Sequence, residues 1–219
     1  MNIITRPLTE IKRMKNSREF TTRIDDSGKG KLLYQHLATT TKLYTSKRFF
    51  NKIRRIDIRK FPNFPSSLDG NVLDYYEYID AFFFNLRSCI DSFLWEINLY
   101  FNLGKKKLYG GTGKNIDDLM KEKHPDTKIT QLLISYQQFG WYKYLNRMRN
   151  QITHRYLAEL IFSEKDKIYL PPDPTAFDFL KPKDFTIEDN YEVIICLENL
   201  LKNVKDFLEK GYGFLIKDL

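Results

Sequence analysis

The sequence has few of the residues that build disulfide frameworks and metal sites. It holds two cysteines and three histidines in 219 residues. Cys89 and Cys196 stand in strongly apolar stretches, where a small core residue is expected and a disulfide is not indicated. His36 and His124 have no ligand partners at metal-binding spacing. We therefore predict no metal site and no cofactor.

Long hydrophobic runs are also missing. No segment approaches the length of a transmembrane helix, and the first sixteen residues contain no apolar stretch of the kind found in secretory signal peptides. Hydrophobic residues still make up 42% of the chain and aromatic residues 15%, which is enough for a folded core. We expect a soluble, cytoplasmic protein.

Acidic residues are scarce near the N-terminus. Residues 1–60 hold 16 Lys and Arg against 5 Asp and Glu, whereas residues 61–219 hold 20 against 23. A basic region on a near-neutral body is typical of proteins with phosphate-rich partners, although a solvated surface alone has the same pattern.

The chain divides near the segment Phe61–Asn71, which is rich in Pro, Gly and helix-capping residues. We predict a basic N-terminal region at 1–68 and a second domain at 69–219. In the first region, residues 31–53 fit a helix with Leu33, Leu37, Tyr44 and Phe50 on one side. "RRIDIRKF" (54–61) alternates as a short strand or extended arm does.

The second region has strong helical periodicity. Apolar residues fall at 72, 76, 79, 83, 86, 90, 93, 94, 97 and 101, and Gly104 marks the end of this helix, which is long enough to contain a bend. A short helix is predicted at 116–123, and 127–161 is mostly helical with Gly140 as a possible break. A Pro-rich excursion covers 163–186. Thr186 and Asp189 form a capping box for a last helix that ends near Gly211. These elements predict an all-α, antiparallel helical bundle.

One stretch carries candidate chemistry: "RNQITHRY", Arg149–Tyr156. His154 can exchange a proton near neutral pH, and Arg149 stays protonated and can hold two phosphate oxygens. RNA supplies its own nucleophile, the 2′-hydroxyl, so its cleavage needs only proton transfer and charge stabilisation.

The motif Arg149-Asn150-x-x-x-His154 resembles the R-x4-6-H signature of HEPN domains (higher eukaryotes and prokaryotes nucleotide-binding). Its extension to Tyr156 is similar to the R-x4-H-x-Y motif of HepT toxins. "LRSCID" (86–91) is also similar to a segment that HEPN proteins often carry. The resemblance covers about residues 70–219.

The resemblance implies a helical bundle and a metal-independent endoribonuclease of a toxin or phage-defence system, usually a homodimer. Arg149 and His154 would then be catalytic, with Asn150 and Tyr156 in support. It also implies a possible antitoxin, or a partner nucleotidyltransferase that adds AMP to the tyrosine. The RNA-binding candidates are Arg54, Arg55, Lys105, Lys106 and Arg147.

The five-residue spacing of Arg149 and His154 restricts how their side chains can meet. Residues five apart on a regular helix are rotated by about 140°, so Arg149 and His154 do not share a face. A distorted helix, the long arginine side chain, or a second copy of the chain must bring them together. Arg147 is the rival of Arg149, because Arg147, Asn150 and His154 fall on one stripe.

Plainer interpretations exist for each residue. His154 fits an ordinary surface histidine, Asn150 fits a partner for neighbouring backbone, and Tyr156 fits a packing residue with a polar tip. Three polar residues interrupt the apolar pattern of the first long helix: Arg87, Ser88 and Asp91. They either line the site, or they form a buried pair or a solvent-exposed edge. The alternative functions are a non-catalytic HEPN-like module that binds RNA, a nucleotide or a protein, and a purely structural bundle.

Overall fold

The structure is a computed structural model that describes residues 14–57, 70–106, 115–154, 160–162, 168–170 and 191–218. Over these ranges the protein is an all-α helical bundle with one very small sheet, which confirms the predicted fold class. The helices are α1 (Lys15–Asp26), α2 (Gly30–Ile53), α3 (Gly70–Tyr100), α4 (Ile116–Lys123), α5 (Lys128–Tyr136), α6 (Gly140–His154) and α7 (Val193–Leu215). A 3-10 turn, Ile216–Asp218, follows α7.

Helix α3 is the long helix that the apolar periodicity predicts. It runs for 31 residues without a break, and every predicted core position except the half-buried Phe101 is buried. Its end is also as predicted: the Leu103 amide bonds to the Asn98 carbonyl at 3.0 Å, and Gly104 adopts φ +75°. Glycine suits this left-handed conformation because it has no Cβ to clash.

Helix α2 confirms the predicted helix, and most of the residues predicted to lie on one side of it are half-buried. Leu33, Leu37 and Tyr44 are only half-buried. The buried residues are instead a mixed set: Leu32, His36, Thr39, Thr40, Leu43, Ser46, Phe50 and Ile53. Polar side chains can occupy a buried face only when they find hydrogen-bond partners, which the sequence pattern does not reveal.

The predicted strand or arm at 54–61 is not found where the chain is described. Arg54 and Arg55 form a turn that prolongs α2, with their amides bonded to the carbonyls of Phe50 and Lys52 at 3.0 Å. Residues 58–69, which hold the rest of this segment and most of the predicted domain boundary, lie outside the described residues.

The middle helices follow the prediction closely. Helix α4 has the predicted bounds, and α6 begins at Gly140 after a break at 137–139. Thr127 caps α5, since its side chain accepts a hydrogen bond from the Thr130 amide at 3.3 Å.

The small sheet was not predicted. It has three antiparallel strands in the order β1 (Ile161–Phe162), β2 (Ile168–Leu170) and β3 (Tyr191–Glu192). Helix α7 follows β3 directly and starts at Val193. The capping box at Thr186 and Asp189 and most of the predicted excursion lie outside the described residues.

Gly211 does not end the last helix, which continues to Leu215. A Cβ at this position would overlap the ring of Phe93, which is fully buried. The glycine is therefore a packing residue: it lets α7 approach α3 closely. The sequence rule for helix ends misassigned it because Gly has both uses.

The chain forms two compact units. The described residues of the first unit fall within Met1–Tyr44, Ser88–Gln138 and Val204–Leu219, and those of the second within Thr45–Arg87 and Phe139–Asn203. The division between the units passes through α2, α3 and α7, and the predicted domain boundary at residue 68 stays a prediction. None of the described helices combines the length and apolarity needed to span a bilayer.

In the first unit, α2 runs antiparallel to α3, as the contacts of Gln35 with Ser92 and of Thr39 with Cys89 show. The end of α7 runs parallel to α3, because Phe93 packs on Phe207 and the Tyr100 hydroxyl donates to the Leu215 carbonyl at 3.0 Å. Packing directions in this bundle are therefore mixed.

Helix α1 also packs on α7 in this unit. The Asn16 amide donates to Glu209 Oε2 at 3.0 Å, and Arg23 Nη1 donates to the Ile216 carbonyl at 2.9 Å. The described part of the basic N-terminal region is thus joined to the last helix of the chain.

Candidate functional site

Helix α6 carries the motif and belongs to the second unit. Its buried face consists of Trp141, Tyr144, Leu145 and Met148, at helical spacing. Asn150 is exposed and Arg149 is half-buried. The buried face holds α6 in place while the residues that begin the motif remain near the surface.

Arg149 and Asn150 are joined directly. Arg149 Nη1 donates to Asn150 Oδ1 at 2.9 Å. Arg149 Nε is buried and has no hydrogen-bond partner among the described residues. The guanidinium is thus held on one side by a neutral amide, a contact that does not neutralise its positive charge.

A second guanidinium reaches α6 from α3. Arg87 is only 4% exposed; its Nε donates to Asn146 Oδ1 at 3.0 Å, and its Nη2 donates to the Tyr142 hydroxyl at 3.2 Å. Its guanidinium carbon also lies 5.3 Å from the centre of the Tyr142 ring. This geometry is what the buried-pair interpretation of Arg87 expects, and the contribution of Arg87 to a site stays a prediction. Ser88 and Asp91 belong to the first unit.

Tyr142, Asn146 and Asn150 form one stripe on α6, spaced four residues apart, and His154 continues that spacing in the sequence. Two of these amides accept from guanidinium groups, Asn146 from Arg87 and Asn150 from Arg149. Tyr142 and Asn146 were not among the predicted site residues. The sequence signal that could have found Asn146 is the four-residue interval that repeats in "NRMRNQITH", between Asn146, Asn150 and His154.

His154 is the last residue of α6, and its side chain lies outside the described part of the structure, as does all of Tyr156. The helix is unbroken from Gly140 to His154. A break at the motif is therefore not observed in this range, and the pairing of Arg149 with His154 stays a prediction.

The remaining RNA-binding candidates fall in both units. Arg147 is half-buried in the second unit. Arg54 and Arg55, in the same unit, are exposed and line a cavity of about 330 Å³ together with Asn51. Lys105 and Lys106 belong to the first unit, where the Lys105 amide bonds to Asn98 Oδ1 at 3.0 Å.

In the described second unit, the ionisable groups whose pKa values are shifted belong to two core residues, Cys196 and Tyr75. Burial raises the pKa of the Cys196 thiol to about 12, although the nearby Tyr144 acts in the opposite direction. Burial, followed by the charge of Glu192, raises the pKa of Tyr75 well above its usual range. Both groups stay protonated at neutral pH, so Cys196 is not a nucleophile.

Comparisons with protein-family models, with curated proteins and with solved structures found no match to this chain. The likeness to HEPN domains therefore depends on the motif residues and on the helical order of the chain.

Proposed function

We propose that the protein is a metal-independent HEPN-type endoribonuclease that acts as a homodimer in a toxin or phage-defence system. The observation that carries the proposal is the hydrogen bond from Arg149 to Asn150 on a helix that ends at His154. It is the contact expected if Asn150 orients the arginine of the R-x4-6-H motif.

The proposed reaction uses the RNA 2′-hydroxyl as nucleophile. His154 takes the proton from this hydroxyl, the 2′-oxygen bonds to phosphorus, and the bond to the 5′-oxygen breaks. A histidine in its protonated form returns a proton to the leaving oxygen, and the product end is a 2′,3′-cyclic phosphate. Arg149 stabilises the charge that builds on the phosphate oxygens.

Cleavage of a labelled RNA in excess EDTA tests this proposal. We expect His154→Ala and Arg149→Ala each to lower the rate at least about a hundredfold, because each removes a group acting in the transition state. His124→Ala is the histidine control and Arg18→Ala, at an exposed arginine of α1, is the arginine control, and both should cleave at close to the wild-type rate. Full activity in folded His154→Ala would disprove the mechanism.

Mixing two inactive variants tests the dimer. If Arg149 of one copy works with His154 of the other, a heterodimer of Arg149→Ala and His154→Ala has one intact site. After subunit exchange the mixture should regain about a quarter of the wild-type rate, since about half of the dimers are mixed and each has one of two sites. A site built within one chain predicts no recovery.

Growth arrest on expression gives a cellular test. The proposal requires arrest by the wild type and normal growth with His154→Ala at equal protein level. A co-expressed antitoxin or nucleotidyltransferase that acts on Tyr156 would relieve the arrest, and Tyr156→Phe would escape the nucleotidyltransferase.

The second candidate is a module that binds RNA without cleaving it. It is favoured by the two exposed arginines, Arg54 and Arg55, which line a cavity with Asn51 and lie outside the Arg149–His154 motif. Salt-sensitive RNA binding that is unchanged by His154→Ala, with no cleavage by any variant, would select this function.

A further inference from the structure

The C-terminal end of α2 and the turn that follows it carry a run of basic residues in the described second unit. Residues 47–55 contain five basic residues and no acidic ones: Lys47, Arg48, Lys52, Arg54 and Arg55. All are exposed or half-buried. Among the described residues, Arg54 and Arg55 have no ion-pair partner.

These charges lie close together along the chain. Lys47 and Arg48 are about one helical turn before Lys52 on α2, and Arg54 and Arg55 follow in the turn after Ile53. From Arg48 to Arg55 the chain extends about 10 Å. A surface of this length can contact about two successive phosphates of a nucleic-acid strand.

Hydrogen bonds within the chain hold the backbone of the turn at Arg54 and Arg55. The amides of Arg54 and Arg55 bond to the carbonyls of Phe50 and Lys52 at 3.0 Å, and the Arg54 guanidinium carbon lies 5.6 Å from the centre of the Phe50 ring. Lys52 Nζ lies 4.3 Å from the centre of the Tyr78 ring. Arg54, Arg55 and Asn51 then line the cavity of about 330 Å³, which has room for a phosphate and its sugar.

We propose that this cavity binds the sugar-phosphate backbone of single-stranded RNA, with the guanidiniums of Arg54 and Arg55 on phosphate oxygens and the Asn51 amide beside them. The choice of RNA as the polymer rests on the proposed function. An anionic membrane is the poorer fit, because none of the large exposed hydrophobic residues falls between 47 and 57. A phosphate also relieves the repulsion between two adjacent unpaired guanidiniums.

Fluorescence anisotropy tests the site, with a labelled RNA of about 20 nucleotides and the full chain carrying His154→Ala so that the RNA stays intact. Adding Arg54→Ala and Arg55→Ala should weaken binding about tenfold at about 50 mM salt. It should also lower the slope of log affinity against log salt by about 1.4, because two phosphate contacts are lost.

The matched control replaces two exposed cations elsewhere. Arg18→Ala with Lys31→Ala removes the same net charge and should change the affinity less than about twofold. Arg54→Lys with Arg55→Lys should keep the salt slope but lose about threefold in affinity, because lysine lacks the forked guanidinium. Equal weakening by the alanine pair and the control pair would overturn the proposal.

A second pair of substitutions distinguishes a loss of RNA binding from a loss of stability. Arg54→Gln with Arg55→Gln is measured in case the alanine pair has a lower melting temperature, and it must lose the same affinity. Binding to phosphatidylserine vesicles without binding to RNA would also overturn the site.

The two proposals can fail separately. If RNA binding depends on Arg54 and Arg55 but the wild type does not cleave, this site stands and the nuclease proposal fails. If the wild type cleaves but its RNA binding does not depend on either arginine, the nuclease proposal stands and this site is overturned.

Discussion

His36 Nδ1 lies 3.0 Å from Glu96 Oε2, and both side chains are fully buried in the first unit. Nε2 of the same imidazole lies 2.9 Å from Thr21 Oγ1 and 3.3 Å from Ser17 Oγ. Glu96 Oε1 accepts from the hydroxyl of Tyr212 at 3.0 Å and from that of Thr39. This polar cluster ties α1, α2, α3 and α7 together inside an otherwise apolar core.

The first prediction concerns this cluster. His36→Ala should lower the free energy of unfolding by about 3 kcal/mol, because it leaves the buried Glu96 without one of its partners. Tyr212→Phe removes a single hydroxyl from the same carboxyl group and should cost only about 1 kcal/mol. Urea unfolding measures both. Similar small losses for the two variants would show that the His36–Glu96 contact contributes little.

Gly211 gives the second prediction. Gly→Ala in the interior of a helix usually stabilises by about 1 kcal/mol, but here the new Cβ meets the Phe93 ring, so we expect a loss of about 2 kcal/mol. The control is Gly30→Ala at the start of α2, where a Cβ has no neighbour within 4 Å, and this variant should be neutral or slightly stabilised. Adding Phe93→Leu should recover part of the loss from Gly211→Ala. Without such recovery, the contact with Phe93 is not the cause.

The third prediction is a pH dependence. Burial raises the pKa of Cys196 in the folded protein to about 12 from an ordinary value of 9.0. A raised pKa means that the folded state holds its proton while the unfolded state loses it, so stability falls as the pH rises from about 9 towards 12. Cys196→Ala should therefore show a shallower decline, by about 1 kcal/mol per pH unit in this window.

Urea unfolding at several pH values, followed by tryptophan fluorescence, measures this difference. Near pH 7 the two proteins should differ only by a constant packing cost, because the thiol is protonated in both states. Parallel curves for Cys196→Ala and the wild type above pH 9 would contradict the raised pKa.

The fourth prediction concerns Arg87. Arg87→Lys keeps the charge but lacks the fork that reaches Asn146 and Tyr142 together, so it should lose about 2 kcal/mol of stability. Asn146→Ala removes one of these bonds and should lose about 1 kcal/mol. If Arg87 also positions the motif helix, RNA cleavage by folded Arg87→Lys should show a lower kcat at unchanged KM. Wild-type kcat in that variant would limit Arg87 to a structural role.

Much of the helical frame followed from local pattern. The buried positions of α3, the bounds of α4 and the break at Gly140 were all predicted, because apolar periodicity and helix breakers act within one segment. The buried face of α2 was not predicted, because His36 and Thr39 are polar and their burial depends on Glu96, about sixty positions away in the chain. The catalytic assignment of Arg149 and His154 stays a prediction.

The all-α class, the long core helix and the basic character of residues 1–60 follow from composition and periodicity, which are properties of the chain alone. Two other features depend on how distant segments pack: Arg87 bonds to Asn146 across 59 positions, and Gly211 leaves room for the ring of Phe93. Both have the same cause. Whether a polar group is satisfied or a Cβ is tolerated depends on the atoms that another segment brings beside it.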